Sequence, residues 1–363
     1  MIKFIESCRE AVSRCYQSQS DFDRVIGKVI FHVLCFCYFF VKNYAPSKAN
    51  EVAERLIELG RANKLNDIQN DILTWYTFYR YEPWEYAAYR FEEKTKEERL
   101  KFYSDNDRIR FGSIVNNIID CKILDNKAKT YELYKDAFKR DVILINGEQD
   151  FPKFEAFCQG RIIFFGKPIT GSYGVKAIKL TPETDLKELF AELLKTKLRL
   201  FEEPIQQCQE MSSLNPESVN TVRLATLLTG DKIDILFSYV RCGRKGFSVD
   251  NSGVGGFLAS VDPETGIVFT DGVSKDGNAF PTHPDSGVTF KGFKVPRYEE
   301  AKELVANLAK RLPTVRYVGW DLAVTDQGVV VVEANSFAMM SGCQFSTNTG
   351  KKEYFESFLQ NKA

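Results

Sequence analysis

The sequence has no excess of charge of either sign. Its 363 residues include 49 Lys and Arg and 49 Asp and Glu, so the formal net charge is zero. A neutral chain has no general electrostatic attraction to nucleic acid or to an anionic membrane surface, and we expect no nucleic acid as a partner. Long disorder is excluded as well, because 29 Phe and 16 Tyr provide ample apolar surface for a core.

Histidine is scarce, and cysteine has no regular spacing. The two histidines, His32 and His283, lie far apart, and the nine cysteines do not follow a disulfide framework. Cys35 and Cys37 are separated by one residue, which fits neither a CxxC redox pair nor a zinc knuckle. We therefore expect reduced thiols, a cytoplasmic location and no Cys/His zinc site.

A hydrophobic run long enough to span a membrane is also missing. Residues 25–41 are strongly apolar, but they include Lys28 and His32 and are shorter than the ~20 residues that a span needs. We interpret them as a buried helix, with an interfacial membrane helix as the alternative. Residues 1–10 carry mixed charge and precede no small-residue cleavage site, so the sequence predicts no signal peptide.

The pattern of the chain changes near residue 120. Before it, apolar residues recur at helical spacing, and the aromatic residues of 75–91 are interpreted as core because no basic patch accompanies them. After it, short apolar runs follow one another without intervening helices, which favours antiparallel strands in an α+β region. The predicted strands are residues 142–145, 161–165, 175–180, 222–228, 233–240, 266–270, 315–324 and 328–333, and the predicted helices are residues 51–63, 185–198 and 298–312.

The most informative segment is residues 318–336, VGWDLAVTDQGVVVVEANS, which predicts a β-hairpin. Asp321 lies on its first strand, and Glu333 and Asn335 lie two apart on the second, so they share a face. Two carboxylates and a carboxamide on a rigid sheet supply the oxygen ligands that Mg²⁺ prefers. The alternative, surface charges on a hairpin, is disfavoured because apolar residues surround both acids and a buried carboxylate needs a cation or another partner.

A second segment, residues 164–180 (FFGKPITGSYGVKAIKL), places Lys167 before a loop that contains Gly171 and Gly174. Glycines allow a loop backbone to close over phosphates, and the lysine adds a point charge. The segment is neither a Walker A loop nor a Rossmann fingerprint, and a glycine-rich hairpin with a solvated lysine stays open as the alternative.

A third segment, residues 200–205 (LFEEPI), has a polar pair between apolar residues and a proline that removes one backbone donor. It predicts an edge strand or a hinge, whose free backbone groups could hydrogen-bond an adenine.

The order of these motifs resembles that of the ATP-grasp superfamily: Lys127, the GKP of residues 166–168, the glycine loop, FEEPI, and an acid followed by Glu-Ala-Asn. Residues 215–228, 241–256 and 283–296 resemble its sugar-transfer associated branch, which is similar to alpha-L-glutamate ligase-related proteins. The resemblance covers about residues 121–344. It implies an ATP-grasp fold, in which two α+β lobes hold ATP between them, with a first lobe at 121–205, a second at 206–363, and a mainly helical region of unassigned role at 1–120.

The resemblance also implies nucleotide-binding roles in the first lobe and hinge. Lys127 and Lys167 correspond to the two ATP-binding lysines. Glu202 corresponds to the hinge acid that faces the adenine amino group, and the backbone of Glu203 and Ile205 completes the purine contact. The further residues implied are Gly171, Ser172, Tyr173 and Gly174 in the mobile loop over the phosphates, and Glu210 at the ribose.

In the second lobe the resemblance makes Asp321, Glu333 and Asn335 the Mg²⁺ ligands. Arg223 and Arg241 fall on strands where such proteins hold the γ-phosphate or a substrate carboxylate, so with Lys167 they are the expected catalytic residues, although either arginine could be a surface residue. The residues expected at the substrate are Asn251, Gly255, Gly256 and His283, for the last of which a role in a turn is the alternative.

The reaction implied is an ATP-dependent carboxylate–amine ligation through an acylphosphate, with two Mg²⁺, replaceable by Mn²⁺, and with polysaccharide or glycoconjugate assembly as its setting. Two alternatives stay open: a kinase on the same fold that phosphorylates a hydroxyl of a small molecule or sugar, and a non-catalytic ATP-binding adaptor. The expected partners are ATP and small-molecule carboxylate and amine substrates, and a homo-oligomer is not excluded.

Overall fold

The computed structural model describes residue 26 and residues 44–171, 175–247, 250 and 255–360. Within this part no helix is long and apolar enough to cross a membrane. The interpretation of residues 25–41 as a buried helix lies outside the described residues, apart from Ile26, and stays a prediction.

Helices form the described chain up to residue 138, and many begin at polar capping residues. Ser104 accepts a hydrogen bond from the Asp107 backbone at 3.0 Å, and Asn117 and Asn126 cap the next two helices in the same way. The predicted helical region is therefore confirmed. Its members are α1 (Tyr44–Glu58), α2 (Leu65–Tyr79), α3 (Pro83–Ala88), α4 (Lys96–Arg99), α5 (Asp105–Val115), α6 (Ile118–Leu124) and α7 (Lys127–Phe138).

A small antiparallel sheet follows, with strand order β1-β4-β2-β3. Its own core is rich in phenylalanine, with the rings of Phe154, Phe164 and Phe201 in mutual contact. β4 is a central strand, so the edge-strand interpretation of residues 200–205 is wrong, and residues 203–207 lead without regular structure to the second sheet. The elements are β1 (Val142–Leu144), α8 (Phe151–Cys158), β2 (Ile163–Pro168), β3 (Lys176–Lys179), α9 (Leu186–Lys195) and β4 (Leu198–Glu202).

The second sheet has seven antiparallel strands in the order β11-β10-β5-β6-β7-β8-β9. The strand predicted at residues 266–270 does not form: Ile267 and Val268 make only isolated bridges, next to Gly266 in the left-handed region at φ +71°. The elements are α10 (Gln209–Ser212), β5 (Val222–Thr229), β6 (Lys232–Cys242), β7 (Phe257–Val261), β8 (Gly272–Val273), β9 (Ala279–Phe280), α11 (Tyr298–Ala309), β10 (Tyr317–Thr325), β11 (Gly328–Asn335), α12 (Gly342–Phe345) and α13 (Lys352–Gln360).

The two faces of this sheet pack against different helices. Trp320 and Leu224 belong to a core shared with α7 and α11, and the Trp320 ring lies 5.3 Å from that of Tyr134. Tyr317 and Ala225 belong to a second core, shared with α1, α2, α3 and α5 and with the C-terminal α12 and α13. Trp75, Tyr86 and Phe91 are buried there too, which confirms the aromatic residues of 75–91 as core apart from Phe78, which is 75% exposed. α7, predicted as part of the first lobe, thus packs against the second sheet.

Candidate functional site

Four side chains form a row across the second sheet. Tyr239 on β6 lies opposite Arg223 on β5, and Arg223 lies opposite Asp321 on β10. Asp321 in turn lies opposite Glu333 on β11. Directly opposed residues of antiparallel strands point to the same face, so the two acids of the hairpin lie next to each other and to an arginine.

A β-bulge makes this row possible. Leu322 pairs with Val331, whereas Asp321 pairs with Glu333, so Val332 is an extra residue in β11. The bulge reverses the alternation of side chains in β11. Val331 and Leu322 face the core that contains Trp320, whereas Glu333 and Asp321 lie on the opposite face of the sheet. A regular strand would turn Glu333 away from Asp321.

The end of β11 carries a buried polar atom without a partner. Asn335 lies opposite Gly319, and its side-chain amide nitrogen is buried and makes no hydrogen bond. Such an atom in a polar site points to a ligand that would satisfy it. A residue larger than glycine would not fit at position 319, because its Cβ would lie 2.9 Å from a guanidinium nitrogen of Arg223.

Asp321 is held by two arginines. Nε and Nη2 of Arg223 donate to its two oxygens at 2.5 and 2.7 Å, and Nη2 of Arg241 donates to Oδ1 at 3.0 Å. Burial alone would raise the pKa of Asp321, but the two guanidinium groups outweigh it and hold that pKa below its ordinary value. Asp321 is therefore a buried anion inside a cationic cluster. Arg241 also donates to the Thr221 hydroxyl at 2.9 Å.

The helical region supports the chain beside this row. Asn116 donates to the carbonyls of Tyr317 at 3.0 Å and Ser336 at 2.6 Å, and Arg108 donates to that of Phe337 at 2.6 Å. Residues before 120 thus fix the segment that follows the hairpin, a contribution that the sequence did not indicate.

Across from the row, the first sheet provides a second buried acid between two cations. Glu202, at the end of β4, forms an ion pair through Oε1 with Lys167 of β2 and through Oε2 with Arg140, at 2.8 Å. Burial would raise the pKa of Glu202, but Lys167 and Arg140 hold it below its ordinary value. Sequence reasoning missed Arg140 because nothing local marks it: its partners Glu202 and Val331 are 62 and 191 residues away.

Lys127 connects the two sheets. Asn126 caps α7 and so places Lys127 in its first turn. Nζ of Lys127 lies 3.1 Å from Oε1 of Glu333 and donates to the Gly171 carbonyl at 2.6 Å. Its backbone donates to the Ile169 carbonyl at 2.8 Å. The first turn of α7 is therefore attached both to the glycine loop and to the hairpin.

Lys127, Lys167, Glu202 and Glu333 line one narrow cleft that side chains largely fill. Charged side chains from both sheets line it together with apolar ones that could contact a flat ring. Its lining residues are Leu124, Lys127, Thr130, Phe138, Lys167, Leu200, Glu202, Val332 and Glu333.

The residues at the hairpin fit a divalent cation in part. Glu333 is a third exposed and can turn toward a cation, whereas the unpartnered atom of Asn335 is the donor Nδ2, so a cation would take the Asn335 Oδ1 and leave Nδ2 for a phosphate oxygen. Asp321 has three of its roughly four acceptor positions engaged by arginine. The described residues contain no cluster of three or more His, Cys, Asp or Glu that could hold a metal, so a cation here would depend on Asn335 and on phosphate oxygens as well.

The other residues expected at the nucleotide lie at varied distances from the cleft. The Glu203 backbone donates to the Asp141 carbonyl at 3.0 Å, which leaves the Glu203 carbonyl for a base, and Ile205 follows in the connection between the sheets. Glu210 is exposed on α10 and does not line the cleft. Gly171 has φ +93°, where glycine is favoured. Ser172, Tyr173 and Gly174 lie outside the described residues.

The residues expected at the substrate belong mainly to turns. Gly255 has φ +94° and Gly256 is buried before β7. His283 is completely buried: Nε2 bonds to the Gly243 carbonyl at 2.8 Å, and Nδ1 receives two backbone N–H groups at 3.3 Å. Backbone groups thus engage both ring nitrogens, as a role in a turn requires. Asn251 lies outside the described part.

Comparisons with known proteins point in one direction. Residues 183–359 match the family model described as sugar-transfer associated ATP-grasp. No curated protein sequence matches the chain. The matched range contains Glu202, Asp321 and Glu333, whereas Lys127 and Lys167 precede it and reach the same cleft in the folded chain.

Solved structures similar to this chain include three ligases. The ATP-grasp ligase PsnB with its minimal precursor, Mg and ADP is 15% identical, the match covers 69% of this chain and 66% of that chain, and the TM-score is 0.40. The L-amino acid ligase of Bacillus licheniformis is 13% identical, with coverages of 71% and 53% and a TM-score of 0.43. The D-alanine–D-alanine ligase of Bacillus anthracis with ATP is 14% identical, with coverages of 68% and 71% and a TM-score of 0.42. The family match thus covers just under half of the chain, and it includes β4 of the first sheet and every strand of the second.

Proposed function

We propose that this protein is an ATP- and Mg²⁺-dependent ligase that activates a carboxylate as an acylphosphate and joins it to an amine. The observation that carries the proposal is the convergence of Lys127, Lys167, Glu202 and Glu333, from four elements, on one cleft. The association of its family with sugar transfer supports substrates from polysaccharide or glycoconjugate assembly.

Adenine is proposed to lie at the hinge end of the cleft. Glu202 is buried and charged, and Oε1 becomes an acceptor for the adenine amino group once Lys167 moves away. The carbonyl of Glu203 and the N–H of Ile205 supply backbone partners in the connection between the sheets. Guanine has a carbonyl where adenine has the amino group, so the arrangement favours ATP over GTP.

The triphosphate is proposed to extend from Lys167 toward Lys127 and the glycine loop. Lys167 is a flexible point charge at the end of β2, and it can exchange its carboxylate partner for phosphate oxygens. Lys127 already contacts both Gly171 and Glu333, so a phosphate between the loop and the hairpin lies within its reach.

Glu333, Asn335 and the remaining acceptor position of Asp321 would hold Mg²⁺. When bound, Mg²⁺ neutralises triphosphate charge and orients the γ-phosphate for in-line attack. Arg223 and Arg241 hold positive charge beside that position, and Asp321 keeps both guanidinium groups in fixed orientations.

The proposed reaction has two steps. A carboxylate oxygen of the substrate attacks the γ-phosphorus, and the bond to the β,γ-bridging oxygen breaks so that ADP leaves with its electron pair. An amine nitrogen then attacks the acyl carbon, phosphate leaves with the electrons of the C–O bond, and the amine loses a proton to solvent. The products are an amide, ADP and inorganic phosphate.

A screen for ADP formation with mixtures of carboxylates, amines and sugars tests the proposal. The ligase releases phosphate only when both a carboxylate and an amine are present, and the Glu333→Gln variant forms no ADP. ADP without free phosphate indicates the kinase instead. Mg-ATP binding with no ADP formation in any mixture favours the non-catalytic adaptor.

A further inference from the structure

Arg140 is a buried cation that the sequence indicated neither among the nucleotide-binding residues of the first lobe nor among the site residues of the second. It follows α7 at the boundary between the two sheets, and its side chain is only 4% exposed. Nε and Nη2 donate to Oε2 of Glu202 at 3.2 and 2.8 Å, and Nη1 donates to the Val331 carbonyl at 2.7 Å. The guanidinium also packs over the ring of Phe138. One side chain thus joins β4 of the first sheet to β11 of the second.

The first consequence concerns the charge of Glu202. Its Oε1 is paired with Lys167 and its Oε2 with Arg140. If Lys167 leaves Glu202 to contact a phosphate, the buried Glu202 carboxylate loses one of its two cations. A buried carboxylate without any cation is strongly unfavourable, so the second cation has to stay in place. Arg140 cannot follow Lys167, because the Val331 and Phe138 carbonyls hold its other nitrogen.

The second consequence concerns the bulge. Val331 directly precedes Val332, the extra residue that turns Glu333 toward the cleft. The Val331 carbonyl accepts from Arg140, so the guanidinium fixes the backbone two residues before Glu333.

We propose that Arg140 is a positioning residue for nucleotide binding and turnover: it keeps Glu202 ionised when Lys167 transfers to the triphosphate, and it anchors the bulge that directs Glu333 into the cleft. The inference rests on the proposed function.

Calorimetry with Mg-ATP tests the first half. Titrations of wild type and Arg140→Gln in two buffers of different ionisation enthalpy, at pH 6.5 and 8.5, give affinity and the number of protons taken up. In Arg140→Gln, nucleotide binding leaves Glu202 without a cation, so it takes up a proton. We expect affinity about 10-fold weaker than wild type at pH 8.5, with recovery at pH 6.5. The other charged groups at the cleft, Lys167, Lys127 and Glu333, are unchanged in this comparison.

Two controls separate this effect from general damage. Arg311→Gln removes an arginine that is also paired through two nitrogens with one carboxylate, that of Asp136, neither of which lines the cleft, and it should bind like wild type. In the Glu202→Gln background the substitution Arg140→Gln should add no proton uptake, because no carboxylate remains to be protonated.

Arg140→Lys tests the second half, and it carries the test if Arg140→Gln does not fold. It keeps the charge but cannot reach Glu202 and the Val331 carbonyl together. We expect Mg-ATP affinity and proton count near wild type, with ADP-forming turnover about 10-fold lower.

The proposal is overturned if Arg140→Gln binds Mg-ATP like wild type with the same proton count, if its extra uptake persists in the Glu202→Gln background, or if Arg140→Lys turns over at the wild-type rate. A wild-type protein that binds no Mg-ATP refutes the proposed function itself, which is a separate result.

Discussion

The two sheets each bury one acid between two cations, but the cations differ. Glu202 lies between Lys167 and Arg140, whereas Asp321 lies between Arg223 and Arg241. A lysine is a mobile point charge, and an arginine paired through two nitrogens is fixed in orientation. The first acid can therefore exchange one partner for a ligand without being left unpaired, whereas Asp321 cannot release the bidentate Arg223 at low cost. The first cluster suits binding and release, and the second suits a rigid electrostatic framework.

Asp321→Asn breaks the rigid cluster and should have the largest effect on stability. It leaves the buried Arg223 guanidinium without its anion, whereas Arg241 keeps Asp250 at 3.6 Å, and loss of one partner of a buried pair costs about 3–5 kcal/mol. Urea denaturation measures the loss. Asp326→Asn, in the exposed turn of the same hairpin, is the matched control and should change the unfolding free energy by less than about 0.5 kcal/mol. Equal stability of the two variants would contradict a structural role for the Asp321 cluster.

Lys167→Ala breaks the exchangeable pair and should act on turnover rather than on stability. Loss of one preorganised cation at the phosphates costs at least ~2 kcal/mol of transition-state stabilisation, about 30-fold in ADP formation. The fold should persist, because Glu202 keeps Arg140. Lys179→Ala, exposed on the neighbouring β3, is the control for a lost surface lysine. A folded Lys167→Ala protein with unchanged turnover would remove Lys167 from the site.

The sequence predicted much of this arrangement, for identifiable reasons. The hairpin and the shared face of Glu333 and Asn335 follow from local periodicity and turn residues, and Lys167 follows from its glycine-rich context. Arg140 and the bulge at Val332 could not be predicted, because the first depends on partners far away in the chain and the second on a register that alternation does not reveal. The same reason explains why residues 266–270 form no strand: tertiary contacts decide their conformation.

Glu82 differs from Glu202 and Asp321 because no cation offsets the effect of burial on its pKa, so its contribution to stability depends on pH. Glu82 lies at the start of α3, where burial, with a further contribution from Asp105, raises its pKa to about 7. Between its ordinary pKa and that value the folded state binds more protons than the unfolded state, so stability falls as pH rises through this interval.

Glu82→Gln should remove this slope. Relative to wild type, we expect it to be more stable at pH 8 by on the order of 1 kcal/mol and equal at pH 4. Denaturation at both pH values, with Glu97→Gln on the exposed surface of α4 as control, measures the difference. A variant as stable as wild type at pH 8 would show that Glu82 ionises at its ordinary pKa.

Glu333→Gln should have the smallest effect on stability, although it adjoins Asp321. Glu333 is a third exposed and its pair with Lys127 is solvated, so the unfolding free energy should change by less than about 1 kcal/mol. The same denaturation assay compares it with Asp321→Asn. A loss as large as that of Asp321→Asn would mean that the row acts as one rigid cluster that includes its outer acid.

The central claim is that nucleotide replaces Glu202 as the partner of Lys167 while the arginines keep theirs. A crystal structure with Mg²⁺ and a non-hydrolysable ATP analogue tests it most directly. The account predicts Lys167 Nζ at the phosphates, Arg140 still on Glu202, Arg223 still on Asp321, and Mg²⁺ at Glu333, Asn335 and the remaining acceptor position of Asp321. A triphosphate bound away from Lys167, or an unbroken Lys167–Glu202 pair with the analogue in the cleft, would contradict it.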